Sequence, residues 1–222
     1  MLAKKYQSQP LAIASYDWTD LASGKSYKTF YGGKAEENYF FTTQAINSGN
    51  ASYGTIDITT LSSKFDNETG VHKAISINFD TTFDVPMTIK GDCIINATTG
   101  IVSEDSGAPN GKLVVQMLKN GVHIISGSTA FLPYVGTPDV NLPHSREHVL
   151  IFDVPETFFA IGDTLRFTVE AWAQMVTGSK HAYQGLAHDA GDRNDSNVAI
   201  KKTIEDDHST KLTFAVPFKV DV

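Results

Sequence analysis

The feature that most constrains this chain is the regular alternation of apolar and polar side chains along several segments. In the segment 74–83, every second residue from Ile75 to Phe79 is apolar, and the residues between them are polar. The segments 163–173 and 212–220 alternate in the same way. Successive side chains of a β-strand point to opposite faces, so this period predicts strands with one buried and one solvated face.

Other strands are predicted by runs of β-branched and aromatic residues. The Asn120-Gly121 pair between two apolar runs predicts a β-hairpin, because both residues accept a positive φ angle. The unbroken apolar run 148–154 predicts a central strand that is buried on both faces. Pro217 has no backbone N–H to donate, so the last strand is expected at a sheet edge or at a bulge. The remaining expected strands are 39–46, 53–61, 85–90, 93–97, 112–118 and 122–125.

Strands spaced in this way, with turn residues between them, predict an all-β fold. We expect an antiparallel β-sandwich of the jelly-roll type with an extended N-terminal arm. The expected domains are the arm, residues 1–36, and a single sandwich, residues 37–222, with a long polar loop at about 177–210. Evidence for helix is limited to a marginal short segment at 197–206.

The first 36 residues are rich in aromatic side chains but show neither a helical nor a strand period. Aromatic residues contribute strongly to interfaces, so we expect this arm to lie in a groove of its own subunit or of a neighbour. A simple extra edge strand is the alternative. The candidate subunit-interface residues are Tyr6, Tyr16, Trp18, Tyr27, Phe30 and Tyr31.

The charge distribution and the termini exclude several classes of partner. The formal net charge is -7, and the cationic residues form no basic patch, so direct binding to nucleic acid is not expected. No segment approaches the apolar length that spans a bilayer, and the N-terminus has no signal-peptide pattern, so membrane insertion is not expected. Cys93 is the only cysteine and is interpreted as a small buried hydrophobic residue.

Motifs for catalysis are absent from the sequence. Gly24-Lys25-Ser26 resembles the end of a phosphate-binding loop, but Thr19 stands where the first glycine is required. The segment 187–195 holds several oxygen ligands around a glycine, yet its spacing does not match a calcium-binding EF-hand loop, and a solvated turn is the preferred interpretation. We therefore predict no enzymatic activity, no cofactor and no metal.

Two other types of site were weighed against this prediction. Glu170 on a strand could oppose Asp80 or Asp153 and form the carboxylate pair of a glycosidase, although any antiparallel sheet offers such pairs. A carbohydrate-binding or receptor-binding module would need exposed aromatic residues on loops. The candidates for that role are Tyr134, Trp172 and Tyr183.

Two groups of motifs resemble known families. The Asn120-Gly121 hairpin followed by the Gly162-Asp163 strand start resembles, loosely, the jelly rolls of tumour-necrosis-factor-like and complement-like proteins. The opening 16–24, the late His188-Asp189 and the closing 210–219 together resemble structural proteins of bacteriophages and related DNA viruses.

The second resemblance implies a structural component of a virus particle: a capsid, cement, decoration or minor capsid subunit. Its implied partners are other copies of itself and other virion proteins, and its implied location is the virion, assembled in the host cytoplasm. It implies no catalytic residue. The alternative is the carbohydrate-binding or receptor-binding sandwich, of the kind found in spikes.

Overall fold

A computed structural model describes residues 25–35, 38–42, 56–61, 70–103, 110–133, 144–175, 182–187 and 212–219. These residues form twelve β-strands, and none of them is helical. Nor do they include a helix that could cross a membrane. The strands are β1 (Lys25–Ala35), β2 (Asn38–Thr42), β3 (Ile56–Leu61), β4 (Gly70–Thr82), β5 (Met87–Ser103), β6 (Asn110–Lys119), β7 (Val122–Ser128), β8 (Leu132–Pro133), β9 (His144–Phe159), β10 (Thr164–Met175), β11 (Ala182–Ala187) and β12 (Thr213–Lys219).

The strands form two antiparallel sheets. Sheet A has seven strands in the order β2-β1-β12-β5-β11-β3, with β9 also paired to β5. Sheet B has five strands in the order β4-β10-β6-β7, with β8 also paired to β6. The prediction of an all-β antiparallel sandwich is confirmed.

The long strand β5 organises sheet A. Its residues between 89 and 96 pair with β12, and its residues 98–103 pair with β11. Strand β9 pairs with β5 over residues 87–101. A strand has only two hydrogen-bonding edges, so β12 and β11 share one edge of β5 and β9 occupies the other.

Four of the strand pairs are nested in the chain. Strand β1 pairs with β12, β4 with β10, β5 with β9, and β6 with β7. Each pair encloses the next one along the sequence, and successive pairs alternate between sheet A and sheet B. This is the connectivity of one long hairpin wrapped around a common core.

The core lies between the two sheets and is built from the apolar positions of the alternating strands. Phe214 on β12 of sheet A contacts two rings of sheet B, Phe79 on β4 and Phe167 on β10, with centroids 6.0 and 4.8 Å away. All three side chains are fully buried. Gly127 allows β7 of sheet B to approach β9 of sheet A closely. A Cβ added at Gly127 would lie only 2.8 Å from the ring of Phe152.

The sequence predicted most of these strands. The alternating segments correspond to β4, β10 and β12, and the segments 85–90 and 93–97 are parts of the single strand β5. The bulge expected at Pro217 is present as a register shift between Ala215 and Phe218, but β12 lies inside the sheet and not at its edge.

The strand predicted at 148–154 differs in two respects from β9. Among the described residues it pairs only with β5, so it is an edge strand and not a central one. It also continues through Pro155 to Phe159, which an edge strand tolerates because the missing N–H can face outward. The run is apolar on both faces, yet only one of those faces is covered.

The predicted arm and loop are described only in part. Residues 25–35 of the arm form β1, which pairs with both β2 and β12, so this part is an internal strand of sheet A and not the extra edge strand that was the alternative. Residues 182–187 of the predicted loop form β11. The segment 197–206 and residues 1–24, with Tyr6, Tyr16 and Trp18, lie outside the described residues.

The Asn120-Gly121 hairpin is confirmed, with φ angles of 49° and 80° at its two turn residues. The turn is also joined to the turn between β9 and β10. Asn120 Nδ2 donates to Asp163 Oδ1 at 2.7 Å, and its Oδ1 accepts from the backbone N–H of Thr164 at 2.8 Å. The hydrogen bond from Asn120 and then that from Lys119 lower the pKa of Asp163 to about 2. The two motifs that resemble tumour-necrosis-factor-like proteins are therefore parts of one hydrogen-bonded corner.

The substitution Asn120→Gly should destabilise the protein although it keeps the turn conformation. Glycine accepts the positive φ angle but removes two side-chain hydrogen bonds, so we expect a loss of about 1–2 kcal/mol. Asn120→Ala should cost roughly 1–2 kcal/mol more, because alanine also strains the left-handed backbone. Urea unfolding of both variants tests this, and equal stability of the two would contradict the backbone part of the argument.

Candidate interaction surface

The outer face of sheet B is covered by paired polar side chains. Arg166 on β10 donates two hydrogen bonds, of 2.7 and 2.6 Å, to the Asp80 carboxylate on β4, and this contact raises the pKa of the guanidinium. Two residues further along, Thr168 donates to Asn78 at 2.7 Å. Polar pairs of this kind are expected where one face of an antiparallel sheet meets water.

The same face carries a carboxylate that is almost completely buried. Glu170 accepts a hydrogen bond from Lys73 at 3.2 Å and another from the indole N–H of Trp172 at 2.9 Å. The ammonium of Lys73 also lies 5.9 Å from the centre of the Trp172 ring. Both carboxylate oxygens are thus engaged, and the aromatic ring serves to cover the ion pair.

The outer face of sheet A has a different character, because its middle is apolar. Val149 and Ile151 on β9 are 62% and 58% exposed, although both are large aliphatic side chains. Ile151 is directly opposite Ile94 on β5, which in turn is opposite Ala215 on β12. We call these four residues the outer patch. Contiguous exposed apolar surface on a sheet is typical of an interaction site.

Carboxylates lie at both ends of the outer patch. At one end Asp92 and Asp153 are directly opposite each other on β5 and β9. Like charges in this position repel, and no salt bridge within the described part of the chain includes either residue. At the other end Glu147 extends from β9 opposite Thr98. The patch is therefore an apolar strip with carboxylates at both ends, and at the Asp92–Asp153 end lysines also lie close to these carboxylates.

A cavity of about 250 Å³ adjoins the Glu147 end. Asn96, which lines it, donates a hydrogen bond at 3.2 Å to Thr213, directly opposite on β12. Its lining includes one carboxylate, one amide and two hydroxyls. Val149 of the outer patch also lines it. The lining residues are Asn96, Ala97, Thr98, Glu147, His148, Val149 and Thr213.

The predicted interface residues on β1 lie on different faces of this sheet. Phe30 is 3% exposed and packs in the core, 6.4 Å from the ring of Phe218, so its predicted interface role is wrong for the folded subunit. Tyr27 and Tyr31 alternate with it and belong to the outer face, opposite Pro217 and Thr213. Burial and then the Asp92 charge raise the pKa of Tyr27, which indicates that Tyr27 lies near the Asp92 end of the outer patch.

A buried polar cluster lies behind the cavity, between the two sheets. His148 on β9 is buried, with its Nε2 2.9 Å from Thr99 Oγ1 on β5 and its Nδ1 3.5 Å from Thr129 Oγ1 beyond β7. Burial, with a smaller contribution from the Arg146 charge, lowers the pKa of His148 from 6.5 to about 4. Both ring nitrogens have partners, so a neutral imidazole satisfies the cluster.

Other residues considered from sequence have structural roles. Cys93 is fully buried, and burial raises the pKa of its thiol to about 12, which confirms that it is a buried apolar residue. Glu170 and Asp80 are each bound in a separate ion pair. Tyr134 and the segment 188–195 lie outside the described residues, as does the side chain of Tyr183.

The outer patch was not predicted from the sequence. Its signal was present in the run Val149-Leu150-Ile151-Phe152, in which all four residues are apolar. We interpreted this run as a strand buried on both sides.

Comparison with known proteins shows the fold but no family. No model of a protein family matches the sequence, and no curated protein is significantly similar to it. An aminopeptidase from a marine sediment archaeon, Thaumarchaeota archaeon, matches 89% of this chain with a TM-score of 0.52 and 7% identity. A CocE/NonD family hydrolase from Staphylococcus aureus matches 87% of it with a TM-score of 0.45 and 11% identity. The chain spans 37% of each of these two longer proteins.

These matches correct one prediction and leave another without support. The expectation that the chain is not an enzyme is overturned, because a sandwich of this fold forms part of a hydrolase. At 7% identity the likeness is one of fold and transfers no catalytic residue. The VP2 subviral particle of infectious bursal disease virus matches 75% of the chain and 38% of its own, with 8% identity and a TM-score of 0.28, which is too low to support an argument about function.

Proposed function

We propose that this protein is a structural subunit of a virus particle that acts through contacts between copies of itself. The observation that carries the proposal is the outer patch, a partly exposed apolar strip on sheet A, whereas the described outer face of sheet B carries several paired polar side chains. That the particle is viral rests on a resemblance to bacteriophage structural proteins. The segments that carry this resemblance are 16–24, 188–189 and 210–219.

The exposed side chains of the patch provide the energy for association. Burial of the part of Val149 or Ile151 that is still exposed would contribute about 1–2 kcal/mol each. Such a contribution is modest for a single contact, but a closed assembly repeats it in every subunit and gains from the high local concentration. A small patch per copy is therefore sufficient in a multivalent particle.

The connectivity of the sandwich is a second support. The nested pairs β1–β12, β4–β10, β5–β9 and β6–β7 support the expected jelly-roll type, in which one folded hairpin wraps around the core. Jelly rolls occur in viral capsid proteins and also in lectins and cupins. The connectivity is compatible with a capsid-type subunit but does not distinguish it from lectins or cupins. Support for a capsid-type function therefore comes from the surface.

The carbohydrate-binding alternative has less support from the surface. Trp172 was its best candidate, but the indole N–H is bound to Glu170 and the ring covers an ion pair. Among the described residues, nothing favours it over contacts between copies.

The proposal is tested by the mass of the full chain in solution, measured by light scattering. We expect the wild-type protein to form a discrete oligomer or larger assembly of the 24.2 kDa chain. Val149→Lys should raise the dissociation constant at least about tenfold, because it removes more than about 1.4 kcal/mol of apolar burial and places a charge in the contact.

Val71→Lys is the matched control. Val71 is also an exposed valine, 47% accessible, on β4 of sheet B. Its replacement should leave the mass unchanged. A wild-type protein that remains monomeric at tens of micromolar, or an oligomer equally weakened by both substitutions, would remove the basis of the proposal.

A further inference from the structure

We propose that Asn120 is a site of spontaneous deamidation, and that its conversion to aspartate or isoaspartate opens the corner formed with Asp163. The corner is the place where the turn between β6 and β7 is hydrogen-bonded to the turn between β9 and β10. This modification is independent of the proposed function. It needs no partner, because the reaction uses only the backbone of the chain and water.

The residue after Asn120 determines how readily its side chain reacts. In deamidation the backbone nitrogen of the following residue attacks the side-chain carbonyl carbon Cγ. The new N–Cγ bond closes a succinimide ring, the Cγ–Nδ2 bond breaks, and the amide leaves as ammonia with the proton of the backbone nitrogen. Water then opens the ring to aspartate or isoaspartate. Gly121 favours ring closure because it has no Cβ to hinder the attack.

The turn leaves space for this reaction. Asn120 and Gly121 are exposed and lie outside the ladder, in which Lys119 and Val122 form the pair next to the turn. A Cβ added at Gly121 would meet nothing within 4 Å, so the turn is open to water. Both the closure of the ring and its hydrolysis therefore have room at this position.

A second Asn-Gly pair lies in a different environment. Asn110 and Gly111 belong to β6, where Gly111 is buried and pairs with Ala173 on β10 and with Leu132 on β8. Strands on both sides hold this peptide, so ring closure at Asn110 first requires the ladder to open locally. Asn110-Gly111 is therefore a control site within the same molecule.

The contacts of the Asn120 side chain slow the reaction while the corner is closed. Its Nδ2 donates to Asp163 Oδ1 at 2.7 Å, and its Oδ1 accepts from the backbone N–H of Thr164 at 2.8 Å. These bonds hold the amide in one orientation. Because Nδ2 is the atom that leaves as ammonia, the reaction must break the bond to Asp163.

The product places two carboxylates in contact. Aspartate at position 120 has an oxygen where Nδ2 donated to Asp163, so a 2.7 Å hydrogen bond becomes a contact between like charges. Asp163 is also bound to Lys119 and to the backbone N–H of Ala160, and it loses these contacts if it moves away. Isoaspartate in addition lengthens the backbone of the turn. Conversion therefore opens the corner.

Peptide mass mapping of the full-length protein, kept at physiological temperature and mildly alkaline pH, tests the site. We expect Asn120 to convert at least about tenfold faster than Asn110, the factor that corresponds to one ladder contact broken first. Asp163→Ala should raise the rate at Asn120 several-fold and leave the rate at Asn110 unchanged. Equal rates at the two asparagines, no conversion at Asn120, or an Asp163→Ala protein that converts Asn120 no faster would each overturn the proposal.

Asn120→Asp reproduces the product and tests its effect on the corner. It should unfold at a lower urea concentration than wild type at pH 7, and the difference in midpoint should shrink towards pH 4. Two carboxylates in contact can share a proton, which raises the pKa of one of them above its unfolded value. Uptake of that proton on acidification then favours the folded state.

The exchange variant Asn120→Asp/Asp163→Asn is the matched control. It keeps aspartate in the left-handed turn but again places one amide opposite one carboxylate, so it should recover most of the loss at pH 7. A deficit in Asn120→Asp that does not change with pH, or an exchange variant without recovery, would show that the contact between carboxylates does not open the corner and would overturn that part of the proposal.

Discussion

Phe214→Ala is expected to lower the free energy of unfolding by about 3–5 kcal/mol, the range for truncation of a fully buried phenylalanine. The ring belongs to sheet A but packs between Phe79 and Phe167 of sheet B, so its removal opens a cavity at the centre of the sandwich. Rigid strands on both sides limit how far the cavity can collapse. Urea unfolding followed by fluorescence measures the loss.

Phe158→Ala is the matched control for this prediction. Phe158 lies on β9 and is 56% exposed, so the same truncation leaves no internal cavity. We expect a change within about 0.5 kcal/mol in the separated subunit. Similar losses for the two variants would mean that Phe214 does not join the two sheets.

Acidification from pH 6.5 to pH 4 is expected to remove about 3 kcal/mol of stability through His148. The pKa of this side chain falls from 6.5 to about 4 because the imidazole is buried and Arg146 is near. The unfolded chain therefore takes up a proton at a higher pH than the folded one. The contribution is fully present above pH 6.5 and is lost as the pH falls towards 4, at about 1.4 kcal/mol per pH unit.

The stability of wild type and of His148→Gln, measured by urea unfolding across this pH range, tests the prediction. The variant should be less stable at pH 7, because it disturbs the hydrogen bonds to Thr99 and Thr129, but its stability should fall less steeply on acidification. His123→Gln is the control, since its side chain is exposed on β7. Equal slopes for wild type and His148→Gln would contradict the argument. Asp163, with its pKa of about 2, contributes below this window.

The two predictions reflect two kinds of side chain between the sheets. Phe214 stabilises the sandwich at every pH, because dispersion and apolar burial do not depend on protonation. His148 stabilises it only as the neutral base, because a charged imidazole would lose hydration without gaining a counterion. His148 therefore makes the region behind the cavity sensitive to acid between pH 6.5 and pH 4.

Local sequence patterns were sufficient to predict the alternating strands and the tight turn. Strands β4, β10 and β12 alternate because one face of each packs in the core while the other meets water or a polar partner. The Asn120-Gly121 turn is equally local, since only residues that accept a positive φ angle can close it. Each of these predictions depends on residues within one segment.

Tertiary structure decides which faces of a strand are covered and which distant residues a side chain contacts. The run at 148–154 is apolar on both faces, and whether its second face is covered depends on which strands and segments lie beside it. Phe30 belonged to an aromatic segment without a period, and its place in the core became clear only from the pairing of β1 with β12. The hydrogen bond between Asn120 and Asp163 likewise joins turns that are 43 residues apart.

The sequence by itself thus determined the class of the fold, because alternation records one buried face for each strand. It did not determine the outer patch or the carboxylates at its ends. Val149, Ile151 and Ile94 come from two strands that are far apart in the chain, and only their register places them in one strip between carboxylates. A surface formed by the alignment of distant strands has no local signature, which is why tertiary structure was needed to find it.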